Sequence, residues 1–277
     1  MDFRIPRILF VALMGSSLAI LGASYQIAFQ NSLAEPYVLG ISSAAALAAV
    51  IGENILGFPA GGLSTHLFAA LGASVATVLL LTLCMGRFGD SSERILLFGM
   101  GMNFVLSSTL FLILSYTQQQ MGGGSMRWLF GQIRWASYTE CVALASVAIF
   151  LFCLLFYFGR HFDALHLGEQ VARTLGVSAP RIRTMVLIAT SMFVGVSVTM
   201  AGSIGFVGLV VPHAVRLWFK PSSSRSLLML CLCMGAFFLV GSDIVSRVLL
   251  PPFEFPIGIV TTLLGGPIFL GLLWRRV

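Results

Sequence analysis

The stretch Ile8-Leu-Phe-Val-Ala-Leu-Met-Gly-Ser-Ser-Leu-Ala-Ile-Leu-Gly-Ala-Ser-Tyr-Gln-Ile-Ala-Phe29 contains no charged side chain. About 20 mostly apolar residues are enough for a helix to cross a bilayer. Eight more apolar segments follow, and the predicted spans are 7–29, 37–51, 65–85, 94–116, 138–158, 184–201, 205–219, 226–250 and 257–274. Two of them, 37–51 and 205–219, are short, so we expect neighbouring protein to shield their ends. The sequence predicts an all-α fold, a polytopic transmembrane helical bundle of about nine helices, as a single domain over residues 1–277.

The composition agrees with a membrane protein. Of the 277 residues, 58% are hydrophobic and only 9% are charged, whereas a soluble domain carries about 25% charged residues. The formal charge is +6, but its basic residues are spread thinly and form no dense patch. The positive-inside bias of membrane proteins explains them better than a nucleic-acid partner does.

The distribution of Arg and Lys predicts an orientation. With the C-terminus in the cytoplasm, nine spans place 11 of the 16 basic residues on the cytoplasmic side, and the N-terminus lies outside. These are Arg87, Arg94, Arg160, Arg173, Arg181, Arg183, Arg216, Lys220, Arg225, Arg275 and Arg276. The opposite orientation would reverse this bias, so we expect a cytoplasmic C-terminus.

Two connecting segments are long enough to carry function. The polar stretch at about 159–183 cannot span, and Gly168, Gly176 and Pro180 bound helix-forming residues within it. We expect one or two short helices there, lying against a partner at the cytoplasmic surface. On the other side, Trp128 and Trp135 are typical of an interfacial helix.

Several kinds of chemistry have no matching residues. The chain has no GxxxxGK[ST] loop to hold ATP phosphates, no GxSxG elbow, and no metal-ligand spacing among its four histidines or five cysteines. The sequence therefore predicts a protein that is neither an enzyme nor a binder of its own cofactor. Ionisable residues are also scarce within the spans, which disfavours a proton-coupled secondary transporter or channel. Asp243 and Arg247 lie one helical turn apart and can pair.

A series of motifs, in this order along the chain, carries a resemblance to a known family. They are Arg4-Ile-Pro-Arg7, Asn31-Ser-Leu-Ala-Glu-Pro36-Tyr-Val-Leu-Gly40, Leu167-Gly-Glu-Gln-Val-Ala-Arg173-Thr-Leu-Gly176, Gly205-Phe-Val-Gly-Leu-Val-Val-Pro-His213-Ala-Val-Arg216, Asp243-Ile-Val-Ser-Arg247 and Pro256-Ile-Gly-Ile-Val-Thr-Thr-Leu-Leu-Gly265-Gly-Pro267. Together they resemble the permease subunits of type II ABC importers for iron-siderophores, haem and vitamin B12.

The resemblance implies the architecture and the partners. Such permeases have ten helices, and the nine predicted here match the family from its second helix onward. The expected partners are two ABC ATPase subunits that bind ATP and Mg, a periplasmic or lipoprotein substrate-binding protein, a second permease copy or paralogue, and membrane lipid. The expected location is the bacterial inner membrane. An inactive, truncated membrane scaffold is the alternative that the absence of a first helix raises.

The resemblance also implies roles for particular residues. Arg4, Arg7 and Arg247 match arginines that dock glutamates of the binding protein, a task suited to a bidentate guanidinium. The segment that couples to the ATPase contains Leu167, Gly168, Glu169, Arg173 and Gly176, with Glu169 and Arg173 available to pair with the partner. The cytoplasmic gate matches Asn31 and Leu33, with Ser92 and Glu93 as a second part. Ser32 stands where the family usually has proline, and Glu93 where it has a small hydroxyl.

The substrate is not encoded in any residue type of the chain. Iron chelates are the most common cargo of the resembling family, so an iron(III)-siderophore is the first expectation, with vitamin B12 and haem as alternatives.

Overall fold

The computed structural model describes residues 4–59, 62–85, 92–121, 131, 133, 137–249 and 254–274. Within these ranges the chain forms eleven helices. They are α1 (Arg4–Ala28), α2 (Ile41–Asn54), α3 (Leu63–Met85), α4 (Ser92–Met121), α5 (Tyr138–Tyr157), α6 (Gly159–His166), α7 (Glu169–Thr174), α8 (Ala179–Ala201), α9 (Val207–Phe219), α10 (Ser224–Val248) and α11 (Ile257–Trp274). The predicted all-α bundle is confirmed.

Nine of these helices correspond to the predicted spans, and α6 and α7 are the expected short helices. Six helices, α1, α3, α4, α5, α8 and α10, are long and apolar enough to cross a membrane. The other three, α2, α9 and α11, are shorter apolar helices. Of the predicted interfacial segment around Trp128 and Trp135, only Gly131 and Ile133 are among the described residues.

Two predicted helix starts differ from those in the structure by four and five residues. The second helix begins at Ile41 instead of residue 37, because turns continue to Gly40, whose φ of +79° favours glycine. The helix α8 begins at Ala179 instead of residue 184, since Pro180 is well tolerated in the first turn of a helix. The second shift places Arg183 inside a helix, where it is buried.

The helix α1 forms the centre of the bundle. Of its spanning window 72% is buried, compared with 22% for α4 at the periphery. It packs against α5, α8, α9 and α10, while α2 packs against α3, α4 and α8. The apolar core therefore surrounds the first helix of the chain.

Close contact between glycines sets the position of α1. A Cβ built on Gly22 would lie 2.0 Å from the carbonyl oxygen of Gly208 in α9. One built on Gly15 would lie 2.2 Å from the carbonyl oxygen of Gly235 in α10. Such small residues allow the close helix contacts that are typical of membrane proteins.

Candidate functional site

The segment from α6 to α7 presents an apolar stripe to its surroundings. Leu167, Val171 and Leu175 follow one another at intervals of four residues, and their side chains are 65%, 44% and 61% exposed. Ala172, the next residue of α7 after Val171, is fully buried. A short helix that turns its large apolar side chains outward is suited to a partner's cleft. Sequence reasoning had singled out Leu167 but not Val171 or Leu175, although the four-residue spacing was visible.

Glycines shape both ends of α7. Gly168 has a φ of +103° and precedes the helix, and Gly176 has a φ of +79° and follows it. Non-glycine residues rarely adopt these backbone conformations. A Cβ added to either glycine would meet no other group within 4 Å, so backbone conformation, not crowding, is what favours glycine here.

The two charged residues predicted to pair with the ATPase differ in their surroundings. The carboxylate of Glu169 accepts a hydrogen bond from Arg183 Nη2 at 2.5 Å, so this chain already supplies it with a partner. Arg173 lies on the exposed surface of α7.

The predicted gate residues lie at the same end of the bundle. Asn31 Oδ1 accepts a hydrogen bond from the Leu33 amide at 2.8 Å, and the Leu33 side chain is half exposed. Ser92 Oγ accepts from Arg183 Nη2 at 2.6 Å. Glu93 is exposed beside it. Arg183 thus connects the second part of the predicted gate to the segment around α7. The sequence analysis did not predict this connection.

Polar side chains surround a cavity next to the gate. Its volume is about 340 Å³, and its lining includes Gln26, Gln30, Asn31 and Arg216. The Arg216 guanidinium donates to Gln26 Oε1, and Gln30 Nε2 donates to the carbonyl oxygen of Leu165 at 2.9 Å. The gate segment therefore contacts α6 directly.

A larger, more basic cleft lies beside α6. It measures about 640 Å³ and is lined in part by Arg160, His166, Arg216 and Lys220. Loss of hydration, and then the positive charge of Arg216, lower the pKa of His166, although part of its ring is exposed and Asp163 opposes the shift. The positive charge of the cleft at neutral pH therefore comes from its arginines and lysine.

At the opposite end of the bundle, two of the predicted docking arginines share a buried carboxylate. Asp243, 2% exposed, accepts from Arg7 Nη2 at 2.9 Å through Oδ1 and from Arg247 Nη2 at 2.5 Å through Oδ2. The pairing expected within α10 is therefore confirmed. Arg7 Nη1 also reaches the exposed Glu254 at 3.1 Å. The side chain of Arg4 lies outside the described residues.

Comparison with known proteins identifies the family to which this chain belongs. The FecCD transport family matches residues 1–275. The chain belongs to this family. It is a permease subunit of a type II ABC importer and a multi-pass membrane protein, and ATPase and binding-protein partners are implied. It is not itself an enzyme, and permeases of this family are not expected to bind a cofactor.

Named relatives align with nearly the whole of this chain. The vitamin B12 import system permease protein BtuC of Vibrio cholerae serotype O1 is 38% identical over 99% of this chain and 82% of its own. The uncharacterized ABC transporter permease protein YvrB of Bacillus subtilis is 35% identical over 100% of this chain and 78% of its own. The secondary-transporter alternative is therefore replaced by an ABC permease.

Solved structures agree with the fold. A transporter described as of the metal-chelate ABC type, in an inward-facing conformation, superposes with a TM-score of 0.86 at 26% identity. The superposition covers 98% of this chain and 86% of that one. PsaBC from Streptococcus pneumoniae, at 15% identity and a TM-score of 0.67, shares the fold over 99% of this chain and 91% of that one. In the described ranges no three His, Cys, Asp or Glu residues come together as metal ligands.

Proposed function

We propose that this permease, as a pair of copies or with a paralogue, carries a large metal chelate inward when its ATPases bind and hydrolyse ATP. The observation that carries this proposal is the exposed stripe of Leu167, Val171 and Leu175, which runs along and just beyond the glycine-bounded helix α7. An ATPase cleft that encloses this stripe would remove it from water and would move α7 when the nucleotide state changes. The proposed orientation places α7 and the C-terminus in the cytoplasm.

For the substrate, a corrinoid is the first candidate to test. Its support is the name of the relatives at 36–38% identity, which are vitamin B12 permeases. The iron(III)-siderophore expected from the sequence is the second candidate, and the similarity to a metal-chelate type transporter supports it.

The test is reconstitution with purified partners. The tagged permease should co-purify with an ATPase subunit, and the complex in proteoliposomes should accumulate labelled cobalamin, or a labelled ferric hydroxamate, only with ATP and a binding protein. Leu175→Ser should weaken ATPase association about tenfold, since it removes one apolar side chain from the stripe. A permease that co-purifies with no ATPase, or that equilibrates substrate without ATP, would contradict the proposed function.

At the other end, we propose that Arg4, Arg7 and Arg247 receive acidic residues of the binding protein. Asp243 keeps both guanidiniums in place, while the exposed Glu254 carboxylate occupies part of Arg7. A carboxylate from the binding protein would have to compete with Glu254 for Arg7 Nη1. Glu254 would therefore weaken docking while Asp243 supports it.

Glu254→Gln is accordingly expected to increase the association rate constant of the binding protein about threefold to tenfold at low salt. It removes a competing carboxylate and a negative charge from a basic docking surface. Surface-immobilised permease complex titrated with binding protein measures the rate. The gain should shrink at high ionic strength; a slower association in the variant would mean that Glu254 helps to orient Arg7 for docking.

A further inference from the structure

Arg183 is a buried charged residue to which the family resemblance assigned no role. It lies in the second turn of α8, and its side chain is only 1% exposed. Removing a guanidinium from water is costly unless its donors are paired. The contacts of Arg183 must therefore offset the cost of removing its charge from water.

The guanidinium joins three elements of the bundle. Its Nε donates to the carbonyl oxygen of Ala28 at 3.1 Å, and its Nη2 donates to Ser92 Oγ at 2.6 Å and Glu169 Oε1 at 2.5 Å. Ala28 is the last residue of α1, Ser92 is the first of α4, and Glu169 is the first of α7. One side chain thus connects the helix proposed to meet the ATPase with Ser92 of the predicted gate and with the end of α1, which precedes the other part of that gate.

The planarity of the guanidinium makes this connection mechanical. Its donors are held in a fixed fork, so we expect a displacement of Glu169 that retains its bond to shift the same plane that holds Ala28 and Ser92. Asn31, in the predicted gate, follows Ala28 by three positions. The hydrogen bond from Gln30 Nε2 to the carbonyl oxygen of Leu165 provides a second, parallel connection.

The remaining nitrogen of the guanidinium, Nη1, suggests that this arrangement of Arg183 is one of two conformations. Arg183 Nη1 is buried and has no hydrogen-bond acceptor among the residues that the structure describes. An unpaired buried donor raises the free energy of the state that contains it. A transmitting element needs such a second accessible arrangement, since a uniquely stable one would not move.

We infer that Arg183 is the positioning residue that transmits the displacement of α7 to the gate. This inference rests on the proposed function, in which α7 meets the ATPase. It assigns Glu169 an internal partner: the carboxylate pulls on Arg183, and the exposed stripe meets the ATPase. Without the guanidinium, only the weaker connection from Gln30 to Leu165 would join ATP hydrolysis to gate movement.

The test compares Arg183→Lys with Arg181→Lys in the assembled, reconstituted complex. Arg181 is exposed on the same helix two residues earlier, so it is a matched control for the same change. Lysine keeps the charge but not the fork that reaches all three acceptors. We expect Arg183→Lys to lower the number of substrates carried per ATP hydrolysed about tenfold, with Arg181→Lys close to the unmodified permease.

A second readout follows the gate itself. Leu33→Cys, in a background whose native cysteines are replaced, reports gate exposure through its rate of thiol labelling with and without ATP and vanadate. The nucleotide-dependent change in that rate should be severalfold smaller in Arg183→Lys. A role limited to folding would lower the yield of complex and leave both the transport-to-ATP ratio and the labelling change intact in the complex that forms.

The outcomes separate this inference from the function on which it rests. If the unmodified complex does not transport, the proposed function fails. If it transports and Arg183→Lys keeps the same ratio and labelling change, the inference is overturned. Should Arg183→Lys fail to assemble, Glu169→Gln decides: a ratio reduced severalfold supports the inference, and an unchanged ratio overturns it.

Discussion

Gly22→Ala is expected to destabilise the permease by about 3 kcal/mol, at the upper end of the usual cost of overpacking. The added methyl group would lie 2.0 Å from the carbonyl oxygen of Gly208, and that atom belongs to a backbone that cannot rotate away. The helices α1 and α9 would have to separate, and α1 is the centre of the bundle. The thermal unfolding temperature of the detergent-solubilised protein, followed by fluorescence, measures the effect.

Gly241→Ala is the matched control for this prediction. It makes the same change within the long helix α10, but nothing lies within 4 Å of the added methyl group. Alanine has a higher helix propensity than glycine by about 1 kcal/mol, so this variant should be as stable as the unmodified permease or slightly more stable. Equal losses in both variants would show that the crossing of α1 and α9 can widen at little cost.

Asp243→Asn is expected to cost about 3 kcal/mol of stability, the lower part of the range for breaking a buried ion pair. The amide keeps the size of the side chain but removes the charge that two guanidiniums share. Arg7 and Arg247 retain partial exposure, at 18% and 30%, and this hydration limits the loss. The thermal unfolding temperature again measures stability, and loss of binding-protein docking should accompany it.

Glu254→Gln tests whether burial explains that loss. It removes a carboxylate from the same Arg7, but at a site that is 47% exposed, where ion pairs contribute about 0–1 kcal/mol. We therefore expect an unfolding temperature close to that of the unmodified permease. An equal fall in both variants would mean that Arg7 needs two carboxylates rather than one buried one.

The site was partly predictable from sequence because two kinds of signal are local. The spacing of glycines around residues 168–176 and the Asp243–Arg247 interval are visible in the chain, and the structure contains the turns and the ion pair they indicate. The partners of Arg7 and Glu169 were not predictable. Arg7 and Asp243 are 236 positions apart, and Glu169 and Arg183 are brought together only after α8 begins earlier than its hydropathy suggests.

By itself, the sequence determined the membrane class, the all-α bundle, the order of its helices and the family, since each depends on apolar length or on motifs within short segments. Only the tertiary structure decided that Arg183 is buried and joins α1, α4 and α7, that Glu169 is paired within the chain, and that Glu254 shares Arg7. The physical reason is that a charged side chain's partners depend on which helix ends meet. The meeting of helix ends is set by close packing such as that of Gly22 on Gly208, which hydropathy does not record.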